Sequence, residues 1–258
     1  MNTPSTSTQK PSRWQIATIA AIGFAIIWNF LTNWFPPTGV SVAELSNTVF
    51  ADVKIIPANY TFSIWGLIYI GLVAFGFYQL DSRRADNLPL QQTRPWIVLA
   101  SLLQSGWILL FLYQQMILSS LAMLGIVWAL IKCYRSLHPL QPNLRQLHPT
   151  WVPSVFSIYL GWISVATIVN IASTLDSFGW QGAPLAPSLW TLLMIAISVG
   201  LALILLRVYA DRAFSGVIMW AIGGITIANL DDPAITLGGL LSIAMLAIFT
   251  IQRSNSPV

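Results

Sequence analysis

The chain has 258 residues, of which 56% are hydrophobic and only 8% charged, and its mean hydropathy is +0.71. A soluble domain carries about 25% charged residues, so this composition excludes a protein that covers a water-facing surface of its own. The formal charge of +4 does not point to nucleic acid, because the basic residues sit between apolar stretches, and the single Cys133 excludes an intramolecular disulfide and a cysteine metal cluster.

Residues 1–13 are rich in Ser, Thr and Pro and read as a disordered tail. Eight stretches without Asp, Glu, Lys, Arg or His follow: Trp14–Phe35, Asn59–Leu80, Pro95–Tyr113, Met116–Ile131, Trp151–Leu175, Pro187–Leu206, Ala213–Leu230 and Pro233–Ile251. An apolar run of about 18 or more residues is long enough to cross a bilayer as a helix. Lipid offers no hydrogen-bond partner, and the helix satisfies its own backbone. The predicted fold is therefore an all-α integral membrane protein with about eight transmembrane helices. Span one as a cleaved signal peptide, with Ser41-Val42-Ala43 as the cleavage site, is the alternative. Its apolar stretch exceeds the roughly 7–15 residues of a signal core. Span four is the shortest, and Lys132 and Arg135 can snorkel to extend it.

With eight spans, eleven of the twelve Lys and Arg fall on one side, and only Lys54 lies on the other. The positive-inside rule then places both termini in the cytoplasm, in a bacterial inner membrane or a thylakoid. The longest external loop, Pro36–Ala58, is predicted to form a short helix or a lid over one end of the bundle. Gln114-Gln115 reads as a tight turn, His138–Pro149 as a Pro-rich cytoplasmic linker, and Asp231-Asp232-Pro233 as a sharp external turn.

Trp14, Trp34, Trp96, Trp151 and Trp190 lie at span ends and fit an interfacial belt. Trp65, Trp107, Trp128, Trp162 and Trp220 lie inside spans and need a partner in the bundle, or a ligand, for the indole N–H. Phe62, Trp65 and Tyr69 fall at i, i+3, i+7. Gln104, Trp107 and Phe111 repeat that spacing, and Tyr159, Trp162, Ala166 and Asn170 extend it. Each set is one stripe on one helix face. Gln104 and Asn170 should face protein or a cavity rather than lipid. The stripes fit either a pocket for a flat apolar ligand or ordinary helix packing with the amides bonded across helices.

These same residues resemble the TspO/translocator-protein family (tryptophan-rich sensory proteins, related to the peripheral benzodiazepine receptor). Pro57 with Trp65 eight on and Tyr69 twelve on is similar to the start of that family's second helix. Gln104-Ser-Gly-Trp107 resembles its Asn-x-x-Trp element, with Gln in place of Asn. Tyr159-Leu-Gly-Trp162 through Ala166-Thr167 to Asn170 matches its fifth helix most fully. The resemblance covers residues 14–175 and implies a five-helix bundle with a ligand pocket closed by the first loop. Its ligand-binding residues would be Trp65, Tyr69, Gln104, Trp107, Tyr159, Trp162, Ala166 and Asn170. It implies porphyrin-like, sterol or isoquinoline ligands, but no required cofactor. The family's sterol-recognition residues, a Tyr and then a basic residue after the helix-five Asn, have no counterpart in Ile171–Asp176. Residues 176–258 would be three additional transmembrane helices, making the chain an extended, divergent member.

Chemistry of other kinds is not legible. His138 and His148 read as solvated loop histidines, and Asp231-Asp232 as a turn and helix cap rather than a cation site. No catalytic residues and no metal ligands are predicted, and an enzyme acting through the pocket Trp residues stays open as an alternative that no acid–base pair supports. The leading expectation is a receptor for a tetrapyrrole-like ligand. The alternatives are a carrier of such a solute, or a structural or assembly subunit of a larger membrane complex. The partners would be the lipid bilayer and a small apolar ligand, without nucleic acid, and with a homo-oligomer or larger assembly left open.

Overall fold

The computed structural model describes residues 10–138, 148–180 and 182–255. Among them the structure is all-helical, with no strand. Helix α1 (Arg13–Trp34) opens with a capping box, in which Ser12 and Gln15 each satisfy the other's backbone N–H. A short α2 (Val42–Thr48), capped by Ser41, interrupts the first long loop. A 3-10 turn (Asn59–Ser63) then feeds α3 (Ile64–Leu80). Helices α4 (Leu88–Leu112), α5 (Met116–Leu137) and α6 (Trp151–Ser177) complete a five-span group. The remaining helices are α7 (Pro187–Tyr209), α8 (Arg212–Ala228) and α9 (Pro233–Asn255).

Seven spans are long and apolar enough to cross a membrane, and α8 is apolar but only 17 residues long. At 1.5 Å per residue it measures about 25 Å, at the lower edge of a bilayer core. Its neighbours show its course. Ser188, at the start of α7, hydrogen-bonds Asp232 at the start of α9, and the Arg253 guanidinium at the far end of α9 reaches the Arg207 carbonyl at the far end of α7. Helices α7 and α9 therefore run the same way, and α8 returns between them. The eight predicted elements are all present, and one of them is short.

Two boundaries differ from the sequence reading. Helix α4 begins seven residues before Pro95 and carries Pro95 in its interior, so Arg94 lies in the helix rather than in a loop. Arg94 is 1% exposed, and its guanidinium donates to Gln79 Oε1, Arg84 O and Ala85 O. Helix α5 runs on past Lys132 to Leu137. The tail expected over 1–13 falls mostly outside the described residues, but Ser12 and Arg13 already belong to the start of α1. Most of the linker expected over His138–Pro149, residues 139–147, also lies outside them.

Helix α6 is the most buried span and joins the two halves. It packs on α5 and α3 on one side and on α8 on the other. Gly161 permits the second contact, because a Cβ there would stand 3.1 Å from Val217 Cβ and 3.4 Å from the Phe214 ring. Helices α7, α8 and α9 pack on one another, and α4 joins α1 to α5.

Candidate functional site

The three aromatic stripes converge. Trp65 of α3, Trp107 of α4, and Trp162, Ala166 and Asn170 of α6 line one cavity, with Phe62 of the 3-10 turn beside them. Val42 and Ser46 of α2, together with Pro57, roof it. The first loop is thus the lid that the sequence suggested. The rings interlock at steep angles: Trp65 lies 6.5 Å from Trp162 at 84°, and Phe62 lies 5.8 Å from Trp162 at 81°. Such edge-to-face pairs exploit the ring quadrupole and hold the walls together.

The other three predicted site residues do not line this space. Tyr69 is one helical turn beyond Trp65, Gln104 one turn before Trp107, and Tyr159 one turn before Trp162. Because α3 runs away from the roof and α4 and α6 run toward it, these three form a layer beneath the Trp layer. Tyr69 stacks on Trp65 at 5.3 Å, and Tyr159 meets Trp65 at 5.9 Å. The Tyr69 hydroxyl and both amide atoms of Gln104 are buried without a hydrogen-bond partner. Lower still, Phe75 and Phe156, both fully buried, close the path with an edge-to-face contact at 4.9 Å.

Asn170 is already occupied. Its Oδ1 accepts from Trp107 Nε1 at 2.8 Å and from Ser119 Oγ at 2.7 Å, and its Nδ2 donates to Ser120 Oγ at 3.0 Å. It therefore ties α4, α5 and α6 together, and the helix-packing reading holds for this residue. Ser119 and Ser120 are partners that the sequence reading missed. Their only signal was a pair of adjacent hydroxyls in an apolar span. Trp65 and Trp162, by contrast, donate their indole N–H to no group among the described residues. The cavity between them has room of about 30 Å³, enough for one or two water molecules. A planar macrocycle does not fit this closed form.

The roof is held by the C-terminal helices. Lys54 Nζ lies 2.6 Å from Asp232 Oδ2, and Asn229 Nδ2 donates to the Lys54 carbonyl at 2.9 Å. Ala58 N–H donates to Gly224 O at 3.1 Å, and Trp220 Nε1 to Thr61 O at 3.0 Å. Trp220, one of the rings inside a span that needed a partner, finds it here and tethers the residue next to Phe62. Hydrogen bonds from Lys54 and Ser188 hold the Asp232 carboxyl down at about 2. Its Oδ1 also accepts from Ala234 and Ile235 N–H, which agrees with the turn-and-cap reading.

The histidines depart from the sequence reading. His138 stacks on Tyr134 at 4.0 Å, with its Nε2 3.9 Å from Asp211 Oδ2, and Tyr134 donates its hydroxyl to that same carboxylate at 2.8 Å. His148 is only 8% exposed, and burial pushes its imidazole below the usual histidine range. Neither is a free loop side chain: both line a hollow of about 480 Å³ between the ends of α5, α6, α7 and α8. Among the described residues no group of three or more His, Cys, Asp or Glu is placed to hold a metal ion.

Searches of curated proteins and of solved structures give no match. The family model described as TSPO-like protein matches residues 15–252, which takes in α7, α8 and α9 as well as the five spans on which the resemblance was read. With that match covering nearly the whole of an all-helical, membrane-spanning chain, the protein belongs to the TSPO-like family.

Proposed function

We propose that the chain is a membrane receptor for a flat, apolar ligand of tetrapyrrole-like shape, taken up between Trp65, Trp107 and Trp162 when the roof opens. The observation that carries this reading is that Trp65 and Trp162 line a mostly apolar cavity and donate their indole N–H to no group among the described residues. An indole N–H is a donor only, and a ligand heteroatom in the cavity would give either group an acceptor. The closed volume means that binding is coupled to displacement of α2 and Pro57. The Phe75–Phe156 contact beneath the Tyr layer favours a dead-end receptor over a carrier, which needs a path to the opposite side. We place both termini in the cytoplasm, because eight crossings put eleven of the twelve Lys and Arg of the sequence on the same side as the termini.

Protoporphyrin titration with intrinsic fluorescence tests the proposal. Quenching should saturate, and Trp65→Phe or Trp162→Phe should weaken the site. Trp128→Phe is the control, since Trp128 is about half exposed on the outer face of α5. Quenching that stays linear, or that falls equally in all three variants, refutes the receptor reading.

A further inference from the structure

Helices α3 and α8 both pack on α6 and leave a groove between them. Its walls are Ile64 and Leu67 of α3 and Gly216, Val217 and Trp220 of α8, and Ile158 of α6 is its floor. The groove encloses about 440 Å³ and is almost wholly apolar. Leu67 and Ile158 are shared with a second apolar hollow of about 230 Å³ that continues between α3 and α6 as far as Trp151. Both lie within membrane-spanning helices, with Leu67 and Trp220 exposed at their rim. The medium that reaches them is therefore lipid.

One end of the groove is charged. Arg212, the first residue of α8, lines it together with Ala213. Arg212 is exposed and makes no ion pair among the described residues. Its neighbour Asp211 does not neutralise it locally. That carboxylate is turned inward, is 6% exposed, and is engaged by the Tyr134 hydroxyl, the Phe214 N–H and the nearby His138 ring. An apolar slot at acyl-chain depth that ends at an unpaired cation at the helix ends is complementary to an amphiphile with a negative head.

We propose that this groove is a binding site for one anionic phospholipid, with an acyl chain along α6 between α3 and α8 and the phosphate at Arg212. A free phosphate would use only Arg212 and leave the apolar slot unfilled, so the occupant is the lipid. Gly216 is what keeps the slot open. A Cβ there would meet nothing within 4 Å, so a side chain at this position starts out in the open space of the groove.

Native mass spectrometry of the full chain released from detergent, with added phosphatidylglycerol or phosphatidylcholine, tests the site. The wild type should retain one phosphatidylglycerol in preference to phosphatidylcholine. Arg212→Gln should lower that preference about fivefold, which corresponds to the roughly 1 kcal/mol attributed to one basic residue at an anionic surface. Gly216→Leu should lower retention of both lipids without lowering the thermal midpoint. Equal retention of the two lipids by the wild type, an undiminished preference in Arg212→Gln, or undiminished retention in Gly216→Leu overturns the proposal. Release of the lipid by excess inorganic phosphate overturns it as well, since that would make the site one for the anion alone.

Discussion

Two adjacent glycines of α8 should respond unequally to the same substitution. Gly224 touches the roof: a Cβ there would overlap Thr61 Oγ1 outright and stand 3.0 Å from both Thr61 Cβ and Pro57 Cβ. Rotation of the Thr61 side chain can move Oγ1, but Thr61 Cβ and Pro57 Cβ stay at 3.0 Å, tighter than an ordinary contact. Thr61 is fully buried, and the Ala58–Gly224 hydrogen bond fixes the spacing of the two segments. Gly223 faces open space, with only Ile243 Cδ1 at 4.0 Å. Replacing either glycine by alanine gains about 1 kcal/mol of helix propensity. Overpacking at Gly224 costs about 1–3 kcal/mol. The propensity gain is common to both variants and cancels in their difference, so Gly224→Ala should be less stable than Gly223→Ala by about 1–3 kcal/mol. For a chain of this size that is roughly 2–12 °C in the midpoint. Thermal unfolding in detergent measures it. Acrylamide quenching of tryptophan should also rise in Gly224→Ala alone, because the roof over Trp65 and Trp162 is loosened. Equal midpoints, or Gly224→Ala above Gly223→Ala, would show that α8 does not bear on the roof.

Asp232→Asn removes an ion pair whose lysine is about one-third exposed, so the loss should be about 1 kcal/mol, read as a lower midpoint at neutral pH. The Asp232 carboxyl is held at about 2, below its ordinary 3.8. Its contribution is therefore complete above pH 3.8 and fades as pH falls toward about 2, and the wild type and Asp232→Asn should converge over that acid window only. Asn170→Leu should cost about 1–3 kcal/mol, because Trp107 Nε1 and the Ser119 hydroxyl lose their shared acceptor. Reporter fusions after Ser82 and at Val258 should report cytoplasm, and one at Gly182 the opposite side. A periplasmic signal at Val258 would contradict eight crossings.

The number of helices, their approximate ends and their alternation across the membrane were legible in the sequence. Each follows from a local rule: lipid forbids unpaired backbone, so an uncharged run of sufficient length becomes a helix, and basic residues collect at alternate ends. Helical periodicity also placed Trp65, Trp107, Trp162 and Asn170 on inward faces, because i, i+3, i+7 spacing is a property of one helix alone. Other features were decided only when helices met. Whether Asn170 would face a ligand or bind its neighbours depended on Ser119 and Ser120 of α5 arriving within hydrogen-bond distance, and no pattern within α6 encodes that. Tyr69, Gln104 and Tyr159 share their stripes with the cavity residues yet lie one turn below, since the depth of a cavity is set by where three separate helices diverge. Arg94 looked like a loop residue because a charge ends an apolar run, but the carbonyls of Arg84 and Ala85 and the amide of Gln79 gave it partners inside. The hold of Asp232 on Lys54 and of Trp220 on Thr61 joins residues more than 150 positions apart. Contacts at that separation exist only after α8 has packed against α6, which is why the dependence of the roof on the last three helices could be seen only in the folded chain.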